Sequence, residues 1–210
     1  MEIKDRIKQK AQELFRMYGV RSVTMDDIAL QLGVSKKTLY QSFSDKSELV
    51  DEVTRNMLED NRSNCITSRS HADNAIHELF LALESLQEVT GNMNPGVLFD
   101  LQRGYPKTFQ RFQDFKYDFL YDVIAENLRW GKEDGLFRED VNEEVYAKMR
   151  LEMISIPFNE QLFPKTKFSL VYLQEQTLKF FIYAIVTPKG YKLIDKYINK
   201  NQVKQTNPKQ

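Results

Sequence analysis

The twenty residues from Thr24 to Phe43 constrain this chain more than any other stretch. Two short helical segments are joined there by Gly33-Val34-Ser35, a connection too short to let them separate. Thr24 is placed to cap the first segment, and Asp27, three residues on, completes a capping-box pattern. Asp26 and Asp27 also suit the positive end of the helix dipole. Ile28, Ala29 and Leu32 fall on one inner face, and Ala29 is small where the second segment must approach. Gly33 supplies the left-handed backbone that the turn needs. Ser35 caps the second segment, whose Leu39 and Phe43 point inward, while Val34 packs beneath the turn. The pattern predicts a helix-turn-helix.

The residues this arrangement leaves outside are Lys36, Lys37, Thr38, Tyr40, Gln41 and Ser42. None is needed for a core. Lysines neutralise phosphates and glutamine reads base edges in the major groove. Ser35, Thr38 and the helix N-terminus can donate to phosphates. Tyr40 can lay its ring on the core edge with its hydroxyl on the nucleic-acid backbone, and Lys46 is placed to clamp the same strand. The bland alternative is a helical corner with a solvated basic face. Bulk charge does not decide between them. The 210 residues sum to a formal charge of zero, and residues 1–50 hold nine Lys and Arg against seven Asp and Glu. The case for DNA therefore rests on where the charges sit.

Helical periodicity dominates the rest of the chain. Ile3, Ile7, Ala11, Leu14, Phe15 and Tyr18 make one apolar stripe ended by Gly19. A fourth helix is expected from Ser44–Asp45 to about Cys65, with a second capping box from Asp45 to Glu48. Further helices are expected over 72–89, 97–103, from Pro106 to about 131–135, over 142–156 and over 168–187, with Pro157, Pro164 and Pro188 separating or ending them.

The run from Thr24 to Leu49, preceded by the 3–18 helix, resembles the signature of the TetR family over about residues 7–50. The fold implied is all-α: an N-terminal three-helix helix-turn-helix DNA-binding domain plus a larger C-terminal helical ligand-binding and dimerisation domain. Expected boundaries are 1–47, 48–199 and a disordered polar tail over 200–210. By resemblance Thr24, Tyr40 and Lys46 contact phosphates, and Lys36, Lys37, Thr38 and Gln41 lie along or in the major groove. Lys37 and Ser42 depart from common family choices, which leaves the operator sequence open. The resemblance implies a homodimer on a palindromic operator in double-stranded DNA, most simply a repressor. It also implies a pocket for a small hydrophobic ligand in the aromatic-rich region from Phe80 to Trp130, with Phe80, Phe99, Phe112, Phe119 and Met153 as candidate lining residues. The alternative is a DNA-bound scaffold governed by a protein partner, for which a filled core between residues 76 and 160 is expected.

The sequence hints at the interface independently. The helix over 168–187 is apolar nearly all round at its end. The one over 142–156 carries two stripes, Val145/Met149/Ile156 and Ala147/Leu151/Ile154. Such helices need burial on two sides, so the homodimer is expected through both. No catalytic cluster, phosphate loop or metal-ligand spacing emerges. His71 and His77 lie six residues apart, off one helical face, beside a single cysteine, Cys65. The chain is expected to be no enzyme, to need no cofactor or metal and to have no membrane span. With one cysteine and a charged, h-region-free N-terminus, the expected location is cytoplasmic.

Overall fold

The computed structural model describes residues 2–91 and 93–206, those beyond 198 by backbone alone. The helices are α1 (Ile3–Tyr18), α2 (Met25–Leu32), α3 (Lys36–Ser42), α4 (Lys46–His71), α5 (Ala75–Thr90) and α6 (Val97–Gly104). They continue with α7 (Pro106–Asp114), α8 (Tyr121–Glu133), α9 (Glu143–Ser155), α10 (Leu170–Ile185) and α11 (Pro188–Thr206). A π-helical turn, Phe115–Leu120, joins α7 to α8 without a break.

Two apolar cores organise these elements. The first gathers Ile7, Ala11 and Phe15 of α1 with Ile28 and Ala29 of α2, Leu39 of α3 and Phe43. It also takes Leu49, Val50 and Val53 of α4 and Val97 and Leu101 of α6. The N-terminal unit thus draws on α4 beyond residue 47, and α6 packs against it from the C-terminal side. The second core is built from α5, α8, α9, α10 and α11 around Ile76, Leu128, Leu151, Leu178 and Ile182.

The structure extends the sequence reading at two places. First, α4 reaches His71 instead of ending near Cys65. Its last turns bury little, but Arg69 lies over the Trp130 ring at 3.6 Å and pairs with Glu78 at 3.1 Å, which ties that end down. Second, the chain beyond Pro188 is a helix. Proline fits a first helical turn as well as it ends one, and Ile194 and Tyr197 are buried in the second core. Once nucleated by that packing, the helix adds residues at little cost and runs to Thr206. The tail expected from residue 200 is therefore helical as far as Thr206, and residues 207–210 lie outside the described residues.

Two caps hold the short N-terminal helices. Thr24 accepts from the Asp27 amide, and the Asp27 carboxylate accepts from the Thr24 amide at 2.8 Å, a complete capping box. At α4 the pattern slips by one residue. Asp45 accepts from the Glu48 amide, but the Glu48 carboxylate accepts from the amide and hydroxyl of Ser44. The Thr24 hydroxyl, then its amide, hold the Asp27 carboxyl below its ordinary value, and the Ser44 amide, then its hydroxyl, do the same for Glu48. A carboxylate whose folded value is lowered stabilises the fold above its unfolded value, about 4. That contribution fades as pH falls through the folded value. Asp27→Asn is therefore expected to melt earlier than the parent at pH 7, with the gap closing toward pH 3 in thermal denaturation followed by circular dichroism.

Candidate nucleic-acid interface

The turn between α2 and α3 takes the form its sequence demands. Gly33 adopts φ 66° and ψ 31°, left-handed backbone, and an added Cβ would meet nothing within 4 Å. Its requirement is conformational, and space is not limiting. Ser35 then caps α3 by accepting from the Thr38 amide at 3.1 Å, and the Ser35 and Thr38 hydroxyls lie 2.8 Å apart. Leu39 is fully buried, which fixes the rotation of α3. Lys36, Lys37, Tyr40 and Gln41 are thereby exposed, with Thr38 half-buried beside them. Thr24 is exposed at the start of α2.

The lysines differ in their freedom. The Lys36 ammonium pairs with Asp26 at 2.6 Å, and that contact raises its pKa. Lys37 makes no ion pair or hydrogen bond among the described residues, so its charge is free for a phosphate. Lys46 is different again. Its ammonium donates to the Val20 carbonyl at 2.6 Å and lies 6.0 Å from the Phe15 ring centroid. Partial burial lowers its pKa. Lys46, expected to clamp a phosphate, here directs its ammonium to the carbonyl of Val20 in the α1–α2 connection.

Behind this surface lies a cavity of about 290 Å³. Its walls come from both units: Phe15 and Arg16 of α1, Val50 and Val53 of α4, Leu79 and Leu83 of α5, and Phe112, Ile124 and Leu151 further along. Of the five residues expected to line a pocket, Phe112 does so. Phe80 instead packs on Tyr197 of α11 at 5.8 Å. Phe99 is exposed, with Arg103 over its ring at 4.9 Å. Phe119 sits under Arg62 at 4.0 Å, and Met153 packs against the second core. The π-helical turn explains part of this. Its wider winding shifts the phase of the helix, so that Phe115 and Lys116 are the buried pair that reaches the cavity.

Several cavity-wall residues are polar, and the sequence reading did not single them out. Lys116 is buried and pairs with Glu152 at 2.9 Å. Glu78 is buried and satisfied by Arg69 and by the Asn127 amide at 2.7 Å. Asn127 spends its Nδ2 on Glu78 and the Ala75 carbonyl, and its Oδ1 has no partner. Arg150 is buried, and its Nη1 has no partner. Its position was legible: residue 150 falls between Ala147 and Leu151 on the inward stripe of α9, where a charged residue is out of place. The Cys65 thiol, also on the wall, is pushed up to about 11 by burial.

The rest of the molecule ties the reader to this cavity. The Arg21 amide donates to Asp100 of α6 at 2.9 Å, and the Asn94 amide donates to the Arg16 carbonyl at 2.7 Å. Asp51 of α4 accepts from Thr108 and Arg111 of α7. A capped helix-turn-helix is thus fastened to a larger helical unit with a cavity between them, an architecture that suits a DNA-binding transcriptional regulator.

The model for bacterial regulatory proteins of the tetR family matches residues 7–53. An HTH-type transcriptional regulator of Staphylococcus aureus strain USA300 is 40% identical over 58 residues, 28% of this chain and 31% of that protein. The matched stretch is thus about a third of that relative's length. Among solved structures, one described as a transcriptional regulator from Saccharomonospora viridis, in complex with choline, aligns with a TM-score of 0.72 at 22% identity. That alignment covers 88% of this chain and 97% of the other. FadR of Thermus thermophilus, a TetR-family repressor solved with lauroyl-CoA, aligns with a TM-score of 0.56 at 21% identity, covering 85% and 93%. At these identities the structural likenesses speak for the fold. Residues 7–53 are thus similar to the N-terminal region of tetR-family bacterial regulatory proteins, and the likeness over the whole chain is one of fold. Among the described residues no helix is long and apolar enough to cross a membrane.

Proposed function

We propose that this chain is a repressor that holds a palindromic operator as a homodimer and releases it when a small hydrophobic ligand fills the cavity. The observation that carries this reading is the shared wall. The cavity touches α1 and α4 of the reader and α5 through α9 of the larger unit. A ligand that prefers one spacing of these helices shifts the population of reader positions and so changes DNA affinity. The cavity also favours a small ligand over the scaffold alternative, for which a filled core was expected.

The homodimer is supported by what α9 and α10 leave uncovered. The two helices pack together. Val145 and Met149 on α9, and Tyr172, Phe180 and Tyr183 on α10, are all large, apolar or aromatic and exposed. Burying such a band against its symmetry mate gives a two-fold pair with two readers, which suits half-sites about 34–36 Å apart. The DNA face consists of Thr24, Ser35, Lys36, Lys37, Thr38, Tyr40 and Gln41, with Lys46 as an internal support for the reader.

Selection of bound fragments from sheared genomic DNA tests the reading directly. A palindrome is expected, and fragments without shared sequence would overturn it. On the selected operator, Lys37→Ala is expected to weaken binding to all sequences alike and to flatten the log–log salt slope by about 0.9. Gln41→Ala is expected to change base preference and leave the slope alone. Lys46→Ala is expected to lower the melting temperature with the slope unchanged; a slope flattened by one ion would instead place Lys46 on a phosphate.

A further inference from the structure

We infer that the ligand of this cavity is an amphipathic monoanion, a carboxylic acid with a short apolar tail, whose carboxylate is held by Arg150. The inference rests on the ligand reading above and adds the chemistry of the head group. Arg150 stands on α9 with 7% of its surface exposed and lines the cavity. Among the described residues it is in no ion pair and no hydrogen bond, and Nη1 is buried without an acceptor. Its one close polar interaction is with the Phe181 ring, whose centroid lies 5.4 Å from the guanidinium carbon.

A buried guanidinium without a counter-ion is unusual because desolvation is not offset. Burial draws its pKa down to about 10, and no neighbouring carboxylate works against that. The group is still a cation at neutral pH, with a planar fork of donors that matches a carboxylate. The lining also includes Asp60, which is exposed at the rim, and the charged groups deeper in the wall have partners. Lys116 has Glu152, and Glu78 has Arg69 and Asn127. Arg16 donates to the Val89 carbonyl at 3.4 Å. Arg150 is left as the one buried cation of the wall that lacks a partner among the described residues.

The surrounding wall selects the tail. Leu79, Leu83, Phe112, Ile124 and Leu151 are apolar. A cavity of about 290 Å³ lies at the lower end of small-molecule sites, roughly 300–1,000 Å³. Octanoate has the right size, and 1-octanol is its neutral counterpart.

Calorimetric titration of the full chain at pH 7.5 with octanoate and with 1-octanol tests the inference. Octanoate is expected to bind at least about tenfold more tightly, the effect of one charge-assisted contact. Arg150→Met is expected to abolish that preference, and Arg150→Lys to keep part of it. Equal binding of acid and alcohol to the parent protein, binding of neither, or a preference that survives Arg150→Met would overturn it. Where a variant does not fold, the acid–alcohol comparison in the parent decides. Release of the selected operator is followed in the same samples. Octanoate that binds without releasing DNA would leave the Arg150 assignment standing and overturn the inducer reading. Release by a neutral ligand, with no preference for the acid, would overturn the Arg150 assignment alone.

Discussion

In the proposed homodimer, Phe180→Glu is expected to separate the two copies and to weaken operator binding by at least about a hundredfold. Phe180 is the most uncovered large side chain of α10, 72% exposed in the single chain. It shares the exposed side of α10 with Tyr172 and Tyr183, on a helix that packs against α9. In the proposed two-fold interface each copy contributes this residue, so one substitution buries two carboxylates that have no partner. The monomer itself has little reason to suffer, because the side chain contributes nothing to either core. The loss on DNA follows from linkage. Two readers on one dimer engage two half-sites with an effective concentration that raises avidity by about 10² to 10⁴, and separate monomers lose that gain. Sedimentation velocity and a fluorescence anisotropy titration on the operator measure both effects. A variant that stays dimeric would move the interface away from α10. A monomer that still holds the operator at parental affinity would show that pairing is unnecessary for recognition.

How much of this was legible in the sequence depended on how local each determinant is. The helix-turn-helix is specified within twenty residues by two caps, one left-handed glycine and a buried Leu39, and each agrees with the others. The same holds for α1, whose stripe and Gly19 stop fix both ends. The two stripes of α9 also separated as read: Ala147 and Leu151 are buried, while Val145 and Met149 are uncovered. The helix after Pro188 was missed because a proline marks a break without telling which side of it is helical. Its Ile194 and Tyr197 signal only gains meaning from the α5 surface that receives them. The cavity was harder still. Aromatic content cannot tell a ring that borders a void from one that fills it, and the π-helical turn displaced Phe119 from the face that ordinary spacing assigns. Arg150 was readable in principle, as a cation on an inward stripe, but only three dimensions reveal that no carboxylate answers it.

Gly131→Ala is expected to lower the stability of the C-terminal unit by about 1–3 kcal/mol or more, the usual cost of overpacking a filled core. Gly131 lies inside α8, where alanine ordinarily favours the helix by up to about 1 kcal/mol, so propensity and packing make opposite forecasts. Packing decides. A Cβ at this position would stand 2.0 Å from Cδ2 and 2.2 Å from Cε2 of Phe137. That ring cannot withdraw cheaply, because Phe137 is 1% exposed and its backbone is held from both sides. Its own amide and that of Leu136 donate to the Gly131 carbonyl at 2.9 and 2.8 Å, and the Arg138 amide donates to the Ile185 carbonyl at 2.8 Å. Phe137 also pairs antiparallel with Val186 at the end of α10. The added methyl therefore pushes on the segment that seats α10, and the effect is expected to reach the proposed dimer interface as well as the fold. For a chain of this size a loss of 1 kcal/mol moves the melting temperature by about 2–4 °C, so differential scanning calorimetry resolves the change. A melting temperature at or above the parental value would mean that Phe137 yields freely and that the close approach of α8 to the following loop places no constraint on residue 131.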